Sequence, residues 1–421
     1  MKEYLKKLPQ ELQDLIRLAR ETAYRRKTPA YLVGGFVRDL ILNVKNLDLD
    51  ILLEGDGIKF AEEFARVLKA PLICHRRFGT ATVTLGHKLK VDIASARKEF
   101  YPHPASLPVV SAGRMKDDLI RRDFTINAMA ISINREDFGK LIDFFGGRKD
   151  LRSKKIRILH LLSFIDDPTR ILRAVRFEQR YDFKIEPLTL GRIKEAARRE
   201  ILKEVQPQRI RDELILILKE PRPIKPVKRL QGLTGLGFMH TGLALSGQTA
   251  KLFAAVESQI SWFKACYPRS RQLDTWLIYF LALSDAWGTA IVRDICRKFA
   301  FRRGEEKRIM DYKKIGNKLL PRLTRSNLKP AEIFHVLEPL SYEVILMLKA
   351  KFKGQGIQRR ITDFFAFYNG MRICISGEDL KEMGVKPGPL YQNIFRKILD
   401  AKLNGKVKTK EEELELAGKL I

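Results

Sequence analysis

The chain carries Gly34-Gly35-Phe36-Val37-Arg38-Asp39 and, a few residues later, Leu47-Asp48-Leu49-Asp50-Ile51. The paired glycine predicts a turn that opens a helix, and the second stretch predicts a strand. Because side chains on a strand alternate between its two faces, Asp48 and Asp50 point the same way while their apolar neighbours face the core. The sequence therefore predicts a glycine turn facing a strand that presents two carboxylates side by side.

Two carboxylates on one face of a strand repel each other and destabilise an ordinary sheet. Divalent cations remove that repulsion: Mg²⁺ prefers hard oxygen ligands, and two ions roughly 3.5–4 Å apart can hold the attacking and leaving oxygens of a phosphoryl displacement. The alternative is a solvated strand end with two unrelated aspartates. The Gly34-Gly35 turn just upstream favours the metal site, because its N–H groups and helix start would bind the phosphates of the same substrate.

Further segments place charged residues among apolar ones in a fixed order. They are Asp117–Ala130 (DDLIRRDFTINAMA), Asp143–Leu151 (DFFGGRKDL) with Ile156-Arg157, Asp166–Phe177 (DDPTRILRAVRF) and Arg209–Leu214 (RIRDEL). Together with the opening stretch, they resemble the motifs of the DNA polymerase β-like nucleotidyltransferase superfamily. More narrowly, they are similar to those of class II tRNA nucleotidyltransferases and bacterial poly(A) polymerases. The resemblance covers residues 31–218, and the second half of the chain carries no catalytic motif.

The resemblance implies that Asp48 and Asp50 bind two Mg²⁺ ions and act in catalysis. The superfamily completes this site with a carboxylate from a later strand, and Asp92, in Leu89-Lys90-Val91-Asp92-Ile93, is the candidate. Asp92 would bind metal and help to take the proton from the RNA 3′ hydroxyl. An exposed strand residue without that role is the alternative for Asp92.

A second group of residues would bind the sugar and phosphates of a nucleotide. Its members are Gly34, Gly35, Arg38, Arg122, Asp123 and Asn127. Arg38, one turn beyond the glycines, can reach the triphosphate with its planar guanidinium. The resemblance implies that Asp123 and Asn127 favour ribose, because a carboxylate that accepts from the 2′-OH loses its partner with a deoxynucleotide. A structural ion pair is the alternative for Asp123.

A third group lies at the predicted start of a helix and would select the base. Its members are Asp166, Asp167, Arg170, Arg173 and Arg176. The resemblance implies that Asp167 and Arg170 pair with the Watson–Crick edge of cytosine or adenine, whereas Asp166 stands where the family commonly has Glu. Helix capping is the alternative for Asp167. The three arginines recur at three-residue intervals and would repel each other, which predicts anions, such as ligand phosphates, between them.

The composition favours a nucleic-acid partner. The 421 residues include 80 Lys and Arg against 50 Asp and Glu, a formal charge of +30, which favours RNA and leaves an anionic membrane surface as the competing partner. The longest apolar stretches are too short to span a bilayer, and the charged N-terminus does not predict a signal peptide. Four separated cysteines predict reduced thiols in a cytoplasmic protein.

The hydrophobic pattern predicts an α+β protein. Residues 1–27 predict one amphipathic helix. Residues 28–150 alternate helix and strand patterns, as expected of a polymerase β-like nucleotidyltransferase head with a small mixed sheet. The predicted strands are YLVGG, LDLDILL, ATVTLG, LKVDIA and INAMAISI, the last over residues 126–133. Residues 151–220 and 221–421 predict helices, and the resemblance implies that they form a neck that selects the nucleotide and an all-α body and tail that bind tRNA. Three prolines in residues 221–226 predict a stiff linker rather than a helix.

Two further features concern RNA. Residues 94–113 predict a loop, and in the resembled family a loop at this location influences the switch from C to A addition. Basic runs in and beyond the proline stretch would hold the tRNA backbone, since phosphate contacts supply most sequence-independent affinity. The candidates are Lys225, Lys228, Arg229, Arg302, Arg303 and Lys386. Solvated helix faces are the alternative for such runs.

The sequence thus predicts a template-independent nucleotidyltransferase that adds CMP and/or AMP, from CTP and/or ATP with Mg²⁺, to the 3′ end of tRNA. Pyrophosphate would leave, and proximity and metal electrostatics would carry the catalysis. A bacterial poly(A) polymerase shares every motif and stays open. A catalytically silent RNA-binding homologue is a further alternative, which the intact carboxylates argue against. Addition of CCA, of CC or of the terminal A alone is equally compatible with these motifs.

Overall fold

The computed structural model describes residues 1–45, 48–86, 89–325 and 327–421, except for the side chains of residues 315–318 and 320. Leu47, the first residue of the predicted catalytic strand, lies outside the described residues. The chain forms two compact units, one of residues 1–217 with 225–241 and one of residues 218–224 with 242–421. The functional division into a head (28–150), a neck (151–220) and a body with tail (221–421) stays a prediction.

Strands and helices alternate in the first unit. In chain order they are α1 (Lys2–Lys6), α2 (Gln10–Arg25), β1 (Ala30–Val33), α3 (Gly35–Ile41), β2 (Asp48–Leu53), α4 (Gly57–Leu68), β3 (Leu72–His75), β4 (Thr80–Leu85), β5 (Leu89–Ser95), β6 (Arg97–Phe100), β7 (Val109–Ala112), α5 (Met115–Ile120), β8 (Ala130–Ser132), β9 (Leu141–Ile142), α6 (Gly147–Arg152), β10 (Lys155–Ile156), α7 (Ser163–Asp166), α8 (Thr169–Tyr181), β11 (Lys184–Ile185), α9 (Pro187–Arg198), α10 (Pro207–Leu218) and α11 (Ile224–Thr234). The predicted strands at YLV, DLDILL, ATVTL and LKVDIA are present as β1, β2, β4 and β5.

Seven strands form one mixed sheet in the order β3-β4-β5-β2-β1-β8-β9. β2 and β5 run parallel, and the other neighbouring strands run antiparallel. The parallel register sets Asp50 opposite Asp92 and Asp48 opposite Lys90. The hairpin β6–β7 and the short parallel pair β10–β11 lie outside this sheet. The sheet therefore brings together two aspartates that are far apart in the sequence.

The two faces of the sheet differ. On one face, alternate residues of β2 and β5 are buried, and α4 packs against β4 and β5. On the other face, Leu52 packs with Met115 and Leu119 of α5. Asp48 and Asp50 share that second face but lie nearer the beginning of β2. This face is consequently apolar and covered at one end and acidic at the other.

The structure differs from three local predictions, each time at prolines. The single helix over residues 1–27 is replaced by α1 and α2, because Pro9 has no N–H with which to continue α1. Residues predicted as a loop form the β6–β7 hairpin, and the three prolines lie in or next to its connection. The predicted linker contains the start of α11, since Pro226 lies in the first turn, where a helix needs no N–H from it.

Two further predictions fail at short elements. The run 126–133, predicted as one strand, divides into a 3₁₀ turn at Thr125–Asn127 and β8. Asp123 accepts hydrogen bonds there from Phe124 N and Asn127 Nδ2, both at 2.8 Å, and such local bonds favour a turn over a strand ladder. The neck, predicted as all-α, also contains the β10–β11 pair.

The second unit is helical throughout its described residues. Its helices are α12 (Thr249–Cys266), α13 (Thr275–Leu283), α14 (Thr289–Lys298), α15 (Arg303–Thr324), α16 (Pro330–Leu337), α17 (Tyr342–Lys351), α18 (Gln355–Asp363), α19 (Gly377–Glu382), α20 (Pro389–Leu403) and α21 (Lys410–Gly418). α13 is apolar on all sides and buried from Trp276 onward, which places it in the core of this unit. The α+β class with a helical second half is confirmed. No helix among the described residues is long and apolar enough to cross a membrane.

Candidate active site

A cleft of about 640 Å³ opens in the first unit, between the sheet, the β6–β7 hairpin, α8 and α10. The predicted residues that line it are Gly34, Gly35, Arg38, Asp50, Arg122, Asp123, Asn127, Asp167, Arg170 and Arg173. Asp48, Asp92, Asp166 and Arg176 do not line it. The cleft thus brings together residues from four of the sequence motifs.

The carboxylates of Asp48, Asp50 and Asp92 occupy neighbouring positions on β2 and β5. Asp92 accepts a hydrogen bond from Thr82 Oγ1 at 2.5 Å. Burial raises the pKa of Asp50 to about 6; the Arg122 guanidinium opposes this shift, and the charges of Asp92 and Asp48 add to it. The ionised Asp50 carboxylate is therefore incompletely compensated by the protein.

The donor set fits a magnesium ion. No described residue donates a hydrogen bond to Asp50, so a cation is the group that would stabilise its charge. Among the described residues, no three His, Cys, Asp or Glu side chains are gathered closely enough to hold an ion unaided. Mg²⁺ suits such an open site, because it keeps several waters and commonly binds one or two carboxylates together with substrate phosphates.

Gly34 allows two charged groups to approach the backbone. Its φ is +71°, and a Cβ built there would lie 2.6 Å from Arg122 Nη1 and 3.3 Å from Asp50 Oδ2. Arg122 is held in this place by buried Asp118, whose Oδ2 accepts from Arg122 Nη2 at 3.0 Å. The Gly34 turn, the Arg122 guanidinium and the Asp50 carboxylate therefore lie close together where α3 begins.

Arg38 is buried and its guanidinium is fully engaged within the protein. Nε and Nη2 donate to Asp39 at 2.8 and 2.9 Å, and Nη1 donates to Asn127 Oδ1 at 2.7 Å. The rings of Phe177 and Tyr181 lie 5.2 and 4.9 Å from the guanidinium carbon. Arg38 lines the cleft, but it would have to exchange these contacts in order to bind a triphosphate.

Asp123 lies at the centre of a buried charge network. It accepts from Arg173 Nε at 2.8 Å, and Arg173 Nη1 and Arg176 Nη2 donate to the two oxygens of Glu213. Burial alone would raise the pKa of Asp123, but Arg173 and the hydrogen bond from Asn127 hold it below its ordinary value. The expectation that ligand anions must separate these arginines is wrong for Arg173 and Arg176, because Asp123 and Glu213 already do so.

Asp167 has the contacts of a helix cap, although it also lines the cleft. Its Oδ1 accepts from Thr169 N at 3.1 Å and from Thr169 Oγ1 at 2.5 Å. Arg209 Nη2 forms an ion pair with the same oxygen at 2.8 Å. The capping alternative and the base-pairing prediction are compatible here, because capping occupies one oxygen of the carboxylate.

Arg170 and Asp166 have different surroundings. Arg170 is buried, and its guanidinium donates to Ser163 Oγ at 2.7 Å and to the carbonyl of Arg121 at 2.6 Å. Asp166 is half-buried, and burial raises its pKa, while His160 lies 3.8 Å away. Arg170 faces the cleft and Asp166 does not, so the two neighbouring candidates are separated.

The β6–β7 hairpin supplies cleft residues that sequence reasoning missed. Glu99 accepts from Arg97 at 2.7 Å, from Arg121 at 2.9 Å and from the Tyr101 hydroxyl at 2.8 Å. Burial and the Glu99 charge raise the pKa of Tyr101. Arg97, Glu99 and Tyr101 alternate along the chain, and this strand-like period could have revealed their shared face. The prolines nearby favoured a loop instead.

The candidate RNA contacts are mostly exposed. Those exposed are Lys225, Lys228, Arg302, Arg303 and Lys386. Arg229 differs, since it forms two hydrogen bonds of 2.7 and 3.0 Å with buried Glu178. Its charge is therefore matched within the first unit.

Comparisons with known proteins identify the family of this chain. Residues 30–157 match the family described as "Poly A polymerase head domain", and residues 182–235 match "Probable RNA and SrmB- binding site of polymerase A". The chain is 38% identical to the A-adding tRNA nucleotidyltransferase of Geobacter sulfurreducens over 98% of its own length and 47% of that protein. It is 32% identical to the A-adding tRNA nucleotidyltransferase of Halalkalibacterium halodurans, over 96% of its own length and 91% of that protein.

A solved structure supports the same relationship. The complex of a CCA-adding enzyme with ATP is 33% identical, with a TM-score of 0.74 over 98% of this chain and 96% of that one. The fold is that of a nucleotidyltransferase. The chain belongs to the tRNA nucleotidyltransferase and poly(A) polymerase family. It spans about half the length of the Geobacter relative, 47%.

Proposed function

We propose that this protein transfers AMP and/or CMP from ATP or CTP to the 3′ end of tRNA, with release of pyrophosphate. The observation that carries the proposal is the cleft in which Asp50, the Gly34 turn and the Asp167–Arg170 pair face one space. The A-adding enzymes of Geobacter sulfurreducens and Halalkalibacterium halodurans match this chain over 98% and 96% of its length at 38% and 32% identity, so the terminal A is the addition we expect. Four free cysteines agree with work in the cytoplasm.

The carboxylate end of the sheet would bind the metal. Asp48 and Asp50 would hold Mg²⁺, with Asp92 as the third carboxylate. When bound, the metal would neutralise charge on the transferred phosphate and favour ionisation of the RNA 3′ hydroxyl. Asp92 would take part in removing that proton, and its hydrogen bond from Thr82 fixes the carboxylate for this role.

The Gly34 turn and Arg122 would bind the triphosphate. The turn offers backbone N–H groups at the start of α3, and Arg122 Nη1 lies against Gly34. Arg122 Nε is buried and has no hydrogen-bond partner among the described residues. A phosphate oxygen is the acceptor that this nitrogen lacks, and the hydrogen bond to Asp118 keeps the guanidinium in position.

Asp123 and Asn127 would contact the ribose, and Asp167 and Arg170 the base. Asp123 stays ionised because Arg173 and Asn127 stabilise its charge, so it can accept from a 2′-OH. A carboxylate oxygen of Asp167 would accept from the exocyclic amine that adenine and cytosine share, while the Arg170 guanidinium would donate to the ring edge. Uracil and guanine present the opposite pattern.

The exposed cations would hold the tRNA backbone. Lys225 and Lys228 on α11, Arg302 and Arg303 at the start of α15, and Lys386 before α20 can each contact a phosphate. Arg229 would contribute indirectly, through its ion pair with Glu178. Residues 28–150 would thus act as the catalytic head, 151–220 as the nucleotide-selecting neck and 221–421 as the tRNA-binding body.

The test uses tRNA transcripts that end at the discriminator base, at C or at CC, each incubated with one labelled nucleotide and Mg²⁺. We expect one A on the CC-ended transcript with ATP. Addition of C residues to the shorter transcripts would extend the activity to CCA synthesis. Long A tails would identify a poly(A) polymerase. Binding of tRNA without incorporation of any nucleotide would overturn the proposed activity, with Asp50→Asn as the matched inactive control.

A further inference from the structure

Thr169 occupies one oxygen of the Asp167 carboxylate. Its backbone N–H and its hydroxyl both donate to Oδ1, at 3.1 and 2.5 Å, and the Arg209 guanidinium pairs with that same oxygen at 2.8 Å. No described residue donates a hydrogen bond to Oδ2. The remaining acceptor capacity of Asp167 therefore lies mainly on Oδ2.

Fixing one oxygen of a carboxylate fixes the direction of the other. The terminal torsion of Asp is broad and roughly two-fold, so it is easily turned unless a partner holds it. Thr169 is itself stiff, because it is β-branched and is 4% exposed at the first position of α8. Both residues line the cleft. The hydroxyl thus sets where Oδ2 lies relative to a bound base.

We propose that Thr169 is a positioning residue for base selection: its hydroxyl holds Asp167 so that Oδ2 meets the exocyclic amine of adenine or cytosine. This inference rests on the proposed function of the cleft. A base with a carbonyl in place of that amine sets two acceptors against each other, and the penalty depends on how firmly the carboxylate is held. Without the hydroxyl, Asp167 can turn away from such a base.

The competing account is that Thr169 only stabilises the start of α8. The two accounts differ in what each substitution changes. Thr169→Val keeps the shape and the backbone N–H that donates to Asp167 but removes the hydroxyl, whereas Thr169→Ser keeps the hydroxyl. A purely structural hydroxyl would lower the melting temperature in the valine variant and leave the ratio between nucleotides unchanged.

The experiment measures kcat/KM for ATP, CTP, GTP and UTP on CC-ended tRNA, and the affinity for each nucleotide by calorimetry without tRNA. For Thr169→Val we expect the ratio of the preferred nucleotide to UTP and GTP to fall by roughly tenfold, through a lower KM for UTP and GTP together with a higher KM for the preferred nucleotide. Thr169→Ser should retain at least half of the native ratio. Melting temperatures of all variants are recorded alongside.

Asp167→Asn distinguishes a failure of the proposed base contact from a failure of the Thr169 inference. If it keeps the native base preference, Asp167 does not contact the base and the proposed base contact fails. If it relaxes the preference while Thr169→Val keeps the native ratio in both measurements, the Thr169 inference alone is overturned. Equal affinity of the native protein for all four nucleotides, together with no incorporation, would overturn both.

Discussion

Asp50 on β2 and Asp92 on β5 lie directly opposite each other in a parallel register, although 41 intervening residues separate them in the chain. Parallel neighbours at one register position share a face, so the two side chains lie side by side on one face of the sheet. Burial is the main cause of the raised pKa of Asp50; the charges of Asp92 and Asp48 raise this pKa further, and the Arg122 guanidinium opposes the shift. The register therefore places Asp92 beside the D-x-D motif, on the same face of the sheet.

Removal of either β2 carboxylate should abolish nucleotide addition. We expect Asp48→Ala and Asp50→Ala to lower kcat/KM by more than about a hundredfold, because each would lose a metal ligand. Folding and tRNA affinity should be preserved, since the deleted carboxylates repel each other. Asp14→Asn, an exposed aspartate on α2, is the control and should be fully active. Near-native turnover in either variant with Mg²⁺ present would refute the assignment.

The raised pKa of Asp50 makes stability depend on pH in the absence of metal. Between about pH 4 and pH 6, the folded protein keeps a proton on Asp50 that the unfolded chain has already released. Folding stability due to this group is therefore present below pH 4 and is lost as the pH rises to about 6. We expect Asp50→Asn to match the native protein near pH 4 and to be roughly 1–3 kcal/mol more stable at pH 8.

Chemical denaturation with EDTA present at several pH values measures this difference. Added Mg²⁺ should reduce it at pH 8, because the cation stabilises the native carboxylates and cannot act on asparagine. A constant difference between the two proteins from pH 4 to pH 8 would show that Asp50 is not perturbed.

Gly34 should tolerate no side chain. In Gly34→Ala the Cβ would meet Arg122 Nη1 at 2.6 Å, so Arg122 has to leave its place and nucleotide affinity should fall at least roughly tenfold. Gly370→Ala is the matched control, because Gly370 has a similar φ of +78° and nothing within 4 Å of the new Cβ. Both variants place a side chain at a positive φ, so each carries a backbone cost of its own. Equal nucleotide affinity in the two variants would contradict the close approach of Arg122.

Glu213 should contribute far more to the free energy of unfolding than an exposed glutamate that also pairs with two arginines. Glu213→Gln leaves the guanidiniums of Arg173 and Arg176 with less compensation in a buried site, so the free energy of unfolding should fall by about 3 kcal/mol. Glu195 also pairs with two arginines, but its side chain is 39% exposed. Glu195→Gln should therefore cost less than about 1 kcal/mol. Urea denaturation measures the loss in both variants. Equal losses would show that pairing with two arginines, and not burial, sets the contribution of Glu213.

Binding of tRNA should depend steeply on salt through the exposed cations of the second unit. For Arg302→Ala and Arg303→Ala, the slope of log affinity against log salt concentration should fall by about 0.7–0.9 for each phosphate that the native arginine neutralises. Lys59→Ala, an exposed cation on α4, should leave the slope unchanged. Titrations at several salt concentrations check this, and identical slopes in all variants would remove α15 from the tRNA-binding surface.

Many of the helices and strands could be predicted, because the spacing of apolar residues and the residue types determine local secondary structure. The alternation in residues 48–53 and 89–95 predicted β2 and β5 correctly, since a half-buried strand needs that alternation. The β6–β7 hairpin could not be predicted in the same way. Its prolines suggest a loop, and only pairing between residues 97–100 and 109–112, together with the contacts of Glu99, shows that this segment forms one wall of the cleft.

The sequence alone determined the family, the α+β class and the identity of the charged residues, because motif order and local periodicity are properties of neighbouring residues. Only the tertiary structure decided which charges compensate each other: Arg173 pairs with Asp123 and Glu213, and Arg229 pairs with Glu178. It also left Asp50 without a hydrogen-bond donor among the described residues. The physical reason is that pairing and burial depend on distance in space. Residues far apart in the chain acquire their partners, and their pKa values, only when the sheet and helices pack together.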